Sequence, residues 1–447
     1  MSTSIIRGRT LTFNRKPNSI NDAESYNYIE DGAILIQDGT IKKIGLFKDI
    51  KKHSPKDIKI YDHSQQLLIP GFVDAHLHFP QIQLVGSYAA NLLEWLKNYT
   101  FIEEQKFKNF SHCQNIAKKF FDTLINHGTT TAATFCTVHI ESVEAFFEES
   151  HKRNMLMIGG KVLMDRNAPP KLLDTPQSSY DNTKTLINKW HGVGRQLYAI
   201  SPRFAITSSP QQLEMSQSLV NEFPDCYLQT HLSENKEEIE LAKKLYPDFK
   251  DYTGIYEHYN LLGPNSLFGH CIHLSSREIS ILSETKSSAV FCPTSNLFLG
   301  SGLFDFQRLS KRSVKIATGT DTGGGTNYSM LKTMDEAYKI LQLQNQQFSP
   351  LESFYQITLG NAHALSLENK IGTLAIGSDA DITILDSRAT SIMKIRMETV
   401  KNLIEELFVL QTMGDDRSVM QVYINGKPSK NYTNINLKTK HEKKIYN

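Results

Sequence analysis

The segment Leu68-Ile-Pro-Gly-Phe-Val-Asp-Ala-His-Leu-His78 decides the fold, because it joins an apolar run to two histidines at its end. Near-continuous apolar character is typical of a strand that is buried on both faces, as in a parallel sheet. His76 and His78 are two residues apart, and side chains at positions i and i+2 of a strand point to the same face. We therefore expect this strand to present two imidazoles side by side at its carboxyl end.

Further apolar runs follow along the chain, and most are separated by helix-like polar segments. The eight predicted strands are 68–78, 129–135, 155–162, 197–206, 226–234, 266–274, 289–296 and 314–322. Strands of this kind that alternate with helices indicate a parallel sheet covered by helices. Eight such units within about 260 residues predict an α/β fold, a (β/α)8 barrel of the TIM type, rather than an open doubly wound sheet.

The regions on either side of this barrel have a different pattern. Short segments of alternating residues with glycines at their ends, such as 32–39 and 371–377, are typical of strands joined by tight turns. We predict that both terminal regions together form one small composite β-sandwich domain. The predicted divisions are 1–66 and 369–435 for this domain, 67–368 for the catalytic barrel, and 436–447 for a polar, Lys-rich tail.

Composition and charge exclude several classes of protein. The 447 residues include 49 Lys and Arg against 47 Asp and Glu, a net charge of +2, which argues against a nucleic-acid binder that works by bulk electrostatics. No run approaches the ~18 to 20 apolar residues that span a bilayer, and no signal-peptide pattern begins the chain. The five cysteines are scattered and form no CxxC pair, so we expect them to lie outside any site. We predict a cytoplasmic enzyme that binds neither nucleic acid nor membrane.

Polar side chains stand where four of the predicted strands end. They are His76 and His78 on strand one, His231 on strand five, His270 on strand six and Asp321 on strand eight. Each alone is compatible with a core or turn residue, but the carboxyl ends of barrel strands meet at one face, where catalytic groups lie. Imidazole and carboxylate are ligands that suit a borderline metal such as Zn²⁺. The shared position therefore predicts a metal site.

Several motifs resemble the amidohydrolase superfamily, whose fold is a metallo-dependent hydrolase barrel with a composite second domain. The shared motifs are the HxH pair, His231-Leu-Ser-Glu234 and Gly319-Thr-Asp321. Gln81, the run Leu-Leu-Glu-Trp-Leu at 92–96 and Pro202-Arg-Phe204 are similar to the guanine deaminases within it. The resemblance covers the whole barrel. It implies a homodimer in purine catabolism that hydrolyses guanine to xanthine and ammonia.

The end of strand four sets the expected number of metals. A two-metal site in this superfamily needs a bridging carboxylate or modified lysine there, whereas Arg203 cannot ligate and Lys161 belongs to the predicted third strand. We therefore predict one Zn²⁺ per subunit, or Fe²⁺, since the same ligand types suit both metals. The predicted ligands are His76, His78, His231 and Asp321.

The resemblance also implies the roles of individual residues. Glu234, His270 and Asp321 are the predicted catalytic residues, and Glu234 carries protons to N3 and to the departing amine while water activated by the metal attacks C2. Arg203 is a natural donor to O6, and Gln81 can read the O6/N1–H edge with its amide donor and acceptor. The predicted substrate-binding residues are Gln81, Trp95, Arg203, Phe204, His78, His231 and Glu234.

Two other functions stay open. A sister deaminase acting on a triazine, a pterin or an adenosine-type substrate would share the metal residues, and the pair of Gln81 and Arg203 favours guanine over these. An interaction protein derived from such a barrel would show gaps among the metal residues, and those positions are filled. Assays of ammonia release from several bases would separate these possibilities.

Overall fold

The computed structural model describes residues 3–430, so the predicted tail at 436–447 lies outside the described residues. The strands, in chain order, are β1 (Thr3–Phe13), β2 (Tyr26–Gln37), β3 (Thr40–Leu46), β4 (Lys59–Pro70), β5 (Phe72–His78), β6 (Thr129–Phe135), β7 (Leu156–Gly160), β8 (Val162–Leu163), β9 (Gln196–Pro202), β10 (Tyr227–Leu232), β11 (Ser266–His270), β12 (Ser288–Phe291), β13 (Lys315–Thr318), β14 (Ile382–Leu385), β15 (Val419–Ile424) and β16 (Lys427–Pro428). They form two sheets within the described residues.

Helices cover the barrel and fill the connections between its strands. They are α1 (Phe47–Lys52), α2 (Leu92–Trp95), α3 (Phe101–Glu104), α4 (Phe110–Asn126), α5 (Ile140–Lys152), α6 (Pro176–Trp190), α7 (Pro210–Glu222), α8 (Lys236–Leu245), α9 (Tyr252–His258), α10 (Ser276–Glu284), α11 (Pro293–Phe298), α12 (Phe306–Lys311), α13 (Met330–Leu343), α14 (Pro350–Tyr355), α15 (Asn361–Ala364), α16 (Ser391–Met397) and α17 (Leu403–Met413). Among the helices of residues 3–430, none combines the length and apolar character that crossing a bilayer requires.

The barrel consists of parallel strands that pair with their neighbours in chain order, from β5 through β6, β7 and β9 to β13. The two-residue strand β8 pairs beside β9. Each of the eight predicted apolar runs contributes one of these strands, and the predicted (β/α)8 architecture is confirmed. The strands are almost fully buried, as expected for a sheet that is covered on both faces.

Hydrogen bonds just after the last barrel strand, β13, connect it to the first barrel strand, β5. The backbone N–H of Asp321 donates to the carbonyl of His76 at 2.8 Å, and the N–H of His78 donates to the carbonyl of Thr322 at 2.7 Å. The buried Asp74 carboxylate accepts from the Thr320 hydroxyl at 2.6 Å and from its N–H at 3.1 Å. The closure therefore places Asp321 directly beside the two histidines of β5.

The second sheet is composite, as predicted, with the order β16-β15-β14-β4-β1-β2-β3. Strand β4 joins the two parts, because it pairs parallel with β1 and antiparallel with β14. Residues 68–70, which the sequence assigned to the first barrel strand, are the end of β4, and the barrel strand begins at Phe72. The apolar run continues from one sheet into the other, so the sequence pattern does not show where β4 ends and β5 begins. Gly71 lies between the two strands, and it approaches β6 so closely that a Cβ there would lie 2.2 Å from Thr130 Oγ1.

Candidate active site

One cavity at the carboxyl end of the barrel brings together nearly all of the predicted site residues. It is lined by His78, Gln81, Trp95, Arg203, Phe204, His231, Glu234, His270 and Asp321, with Leu92, Leu96, Leu299 and Gly324 beside them. His76 is buried next to the lining residues, and its Nε2 lies 3.4 Å from Asp321 Oδ1. The end of the barrel therefore gathers side chains that are far apart in the sequence.

Four predicted ligands converge around a common point. His78 Nε2 lies 3.3 Å from Asp321 Oδ1, and His231 Nε2 lies 3.2 Å from His78 Nε2. The ligand atoms of His76, His78 and His231 all lie within 4.8 Å of one another. His76 Nε2 is buried and has no hydrogen-bond partner among the described residues, as expected of a metal-binding nitrogen. The donor set fits a divalent metal of the Zn²⁺ type.

Neighbouring groups orient the histidine rings. His231 Nδ1 lies 2.6 Å from the carbonyl oxygen of Arg203, and His270 Nδ1 lies 2.9 Å from Asn296 Oδ1. A proton on each Nδ1 would donate to these oxygens and leave each Nε2 with its lone pair toward the cavity. Burial lowers the pKa of His78 to about 4 and that of His231 well below its ordinary value. Both rings are therefore neutral at pH 7, which is the form that binds a metal.

The two carboxyl groups of the cavity have opposite pKa shifts. Burial opposes ionisation of Asp321, but the imidazoles of His76 and His78, at 3.4 and 3.3 Å from Asp321 Oδ1, outweigh it and hold the pKa of Asp321 well below its ordinary value. Burial, reinforced by the charge of Asp321, raises the pKa of Glu234 to about 8. Asp321 is thus suited to ligation, while Glu234 is suited to holding a proton. Pairs of carboxyl groups whose environments separate their pKa values in this way are typical of acid–base sites.

Glu234 is fixed by the start of a helix and by two side chains. It precedes α8, whose residue Glu238 accepts from the N–H of Glu234 at 2.9 Å. Ser301 Oγ donates to Glu234 Oε1 at 3.0 Å, and His270 Nε2 lies 3.4 Å from Glu234 Oε2. The carboxyl group is therefore held between Ser301 and His270.

A third carboxylate, Glu104 at the end of α3, holds two of the residues that line the cavity. Arg203 Nη1 donates to Glu104 Oε2 at 2.8 Å and to Oε1 at 3.0 Å. Gln81 Nε2 donates to Glu104 Oε1 at 2.9 Å. Sequence reasoning missed Glu104, because it lies between strands rather than at the end of one. The signal available was a pair of glutamates, Glu103 and Glu104, next to the 92–101 segment.

The structure also shows where three further residues lie relative to the cavity. Trp95 is 2% exposed, and its Nε1 has no hydrogen-bond partner within residues 3–430, although it lines the cavity. The Phe204 ring packs edge-on against the His231 ring at 5.9 Å between centroids. The expectation that all cysteines lie outside the site is wrong for Cys292, since its Sγ lies within 4.8 Å of ligand atoms of His76 and Asp321. Burial raises the pKa of the Cys292 thiol well above its ordinary value, which makes it a poor ligand.

Replacing Gly269 by alanine is expected to lower metal occupancy. A Cβ at Gly269 would lie 2.6 Å from Cε1 of the His76 ring, so the added methyl group displaces this ligand. Gly263→Ala is the matched control, because its nearest neighbour, Ser266 Oγ, is 3.8 Å away. Elemental analysis should show less bound metal in Gly269→Ala and an unchanged content in Gly263→Ala. Equal contents in both variants would contradict the placement of His76.

Comparisons with known proteins find relatives that match this chain over most of its length. Residues 67–428 match the family model described as "Amidohydrolase family". The guanine deaminase of Escherichia coli (strain K12) is 47% identical over 405 residues, which cover 91% of this chain and 92% of that protein. A solved structure of E. coli guanine deaminase matches with a TM-score of 0.93 and 45% identity, covering 95% of this chain and 99% of its own.

A second solved structure, guanine deaminase from C. acetobutylicum with guanine bound in its active site, matches with a TM-score of 0.86 and 28% identity. The match covers 96% of this chain and 100% of that chain. The family model and the 47% identity each extend over most of the chain, including the strand ends that form the cavity. The chain therefore belongs to the amidohydrolase family, among its guanine deaminases.

Proposed function

We propose that this protein is a guanine deaminase, which converts guanine and water into xanthine and ammonia. The observation that carries the proposal is that two groups line one cavity: Arg203 and Gln81, which share the carboxylate of Glu104, and the histidines with Asp321. Guanine carries a C6 carbonyl and an N1–H next to the carbon that loses its amine. Hydrogen-bonding groups that contact this edge would turn the C2 amine toward the histidine cluster.

The proposed metal is one Zn²⁺, or Fe²⁺, held by His76, His78, His231 and Asp321. When bound, such a metal acts as a Lewis acid and lowers the pKa of a water molecule toward ~7. A single metal is supported by the ends of strands three and four. The ammonium of Lys161, after β7, pairs with Asp174, and the side chain of Arg203, after β9, pairs with Glu104.

The residues of the chain supply binding and proton transfer. Arg203 donates to O6, and Gln81 accepts from N1–H, while Phe204 and Trp95 pack against the ring. The water oxygen forms a bond to C2, and Asp321 accepts a proton from this water. Glu234 donates its proton to N3, takes up the remaining proton of the added hydroxyl and passes it to the amine, so that the C2–N bond breaks, C2=O forms and ammonia leaves. The proton on Asp321 then returns to Glu234. His270, between the two carboxyl groups, stabilises the charge that develops.

A panel of substrates tests this function against the alternatives. Metal-loaded protein is incubated with guanine, adenine, cytosine and a pterin, and released ammonia is measured. Release from guanine at a rate far above the other three supports the proposal. Preferential release from adenine or the pterin would favour a sister deaminase, and no release from any base would favour a binding protein. The homodimer and the cytoplasmic location remain predictions of the sequence.

Replacing Arg203 by lysine is expected to lower kcat/KM for guanine by roughly 10- to 100-fold without loss of metal. Lysine keeps the positive charge that Glu104 requires, but it lacks the planar fork with which arginine contacts two acceptors at once. Kinetics and metal content of the same preparation provide the measurement. A parallel loss of metal would show that the Arg203 side chain supports the metal site rather than substrate binding.

A further inference from the structure

We propose that Glu104 is a positioning residue that sets the base specificity of the site by orienting Gln81 and Arg203 together. The inference rests on the proposed function, because it concerns which edge of a purine those two residues recognise. Glu104 Oε1 accepts from both Gln81 Nε2 and Arg203 Nη1, and Glu104 Oε2 accepts from Arg203 Nη1. One carboxylate thus joins the two side chains.

The carboxylate determines how the Gln81 amide is turned. An amide oxygen pointed at Glu104 would place two acceptors against each other, so the NH₂ group must face the carboxylate. The other end of the amide supports the same orientation, since the N–H of Gly323 points at Gln81 Oε1 from 3.4 Å. Gln81 therefore presents its oxygen, an acceptor, on the side away from Glu104. This sharpens the sequence-based expectation, which left both the donor and the acceptor of Gln81 open.

The same carboxylate holds the Arg203 guanidinium. The Glu104 side chain is 0% exposed and that of Arg203 is 3% exposed, so the pair is shielded from water and fixed in place. Only Nη1 takes part in hydrogen bonds within residues 3–430, which leaves Nε and Nη2 as donors for a ligand. Arg203 is thus a donor beside the acceptor of Gln81.

An adjacent donor and acceptor are complementary to a lactam, in which a carbonyl stands next to an N–H. Guanine offers O6 to Arg203 and N1–H to Gln81. Adenine offers the reverse pattern, a lone pair at N1 and an NH₂ at C6. It would place its NH₂ donor against the donor of Arg203 and its N1 acceptor against the acceptor of Gln81. Glu104 would therefore select six-membered lactam rings, including bases that carry no amine.

Two unreactive bases test this selection directly. Hypoxanthine keeps the O6/N1–H edge of guanine and purine lacks it, and neither has an amine at C2. Calorimetric binding of both is measured for metal-loaded wild type, Glu104→Gln and the control Glu103→Gln. Glu103 is also buried, but it pairs with Lys106 rather than with a cavity residue. The readout is the ratio of the two dissociation constants, purine over hypoxanthine.

We expect wild type and Glu103→Gln to prefer hypoxanthine by about tenfold or more, and Glu104→Gln to reduce this preference about tenfold. If Glu104 has only a structural role, Glu104→Gln will weaken the binding of both bases equally and leave the ratio of their dissociation constants unchanged. That result would overturn the proposal. So would a wild type without any preference. Failure of wild type to deaminate guanine would instead reject the proposed function, so the two failures are distinguishable.

A second pair of variants covers the case in which Glu104→Gln does not fold. Arg203→Gln alone leaves the buried Glu104 carboxylate without its cationic partner, whereas the double variant Glu104→Gln/Arg203→Gln removes both charges of the pair together. If Glu104 acts partly through Arg203, adding Glu104→Gln to the Arg203→Gln protein changes the ratio of dissociation constants less than Glu104→Gln changes it in wild type. Where Glu104→Gln alone does not fold, the expected change between Arg203→Gln and the double variant is less than about threefold. A further tenfold loss in the double variant would contradict the coupling.

Discussion

Glu234→Gln is expected to lower kcat for guanine by about 10²- to 10⁴-fold, which is the usual contribution of general acid–base catalysis. Glutamine has nearly the same shape and can still accept from Ser301 Oγ, which lies 3.0 Å from Glu234 Oε1. It cannot take up and deliver a proton at neutral pH, so the transfers to N3 and to the departing amine fail. Stopped-time assays of xanthine formation measure the loss.

Metal content should stay at the wild-type level in Glu234→Gln, because the residue is not a metal ligand in the proposed site. Glu237→Gln is the matched control, since Glu237 is exposed on α8 three residues further along and should keep full activity. A Glu234→Gln protein that retains kcat within about tenfold of wild type would exclude Glu234 as the proton carrier.

Asp321→Ala is expected to lose most of the bound metal, to about a tenth or less of the wild-type content, together with turnover. The Asp321 carboxylate lies within 3.4 Å of both His76 and His78, so its removal takes away one ligand and the charge that holds the other two. Elemental analysis and guanine turnover are measured on the same preparation, and circular dichroism checks that the barrel is intact.

Asp335→Ala serves as the control for Asp321→Ala, because Asp335 is a buried carboxylate on α13 that pairs with Lys339 at 2.9 Å. It should keep its metal. Wild-type metal content in Asp321→Ala would remove Asp321 from the ligand set, whatever happens to turnover.

The part of the site that the sequence could predict lies at the ends of strands. Each apolar run locates a barrel strand, and the polar residue that interrupts the run marks the carboxyl end, as His231 and His270 do. This logic works because the barrel brings all strand ends to one face. Applied to the seventh run, the same logic would also have indicated Cys292, which follows β12 directly.

The remaining parts come from segments whose position depends on tertiary packing. Glu104 lies on α3, in a connection between β5 and α4, and Asn296 and Ser301 follow β12 in another connection. No periodicity reveals which of the polar residues in such connections turn toward the cavity. The end of β4 was missed for a different reason, because an apolar run that passes from one sheet into another has the same pattern in both.

The most direct test of the central claim is a titration of metal-free protein with Zn²⁺ while xanthine formation from guanine is followed. The expected result is that turnover is absent without metal, rises in proportion to added Zn²⁺ and reaches a plateau at about one Zn²⁺ per chain. A plateau at about two would contradict the single-metal site, and no xanthine at any level of Zn²⁺ or Fe²⁺ would contradict guanine deamination by this cavity.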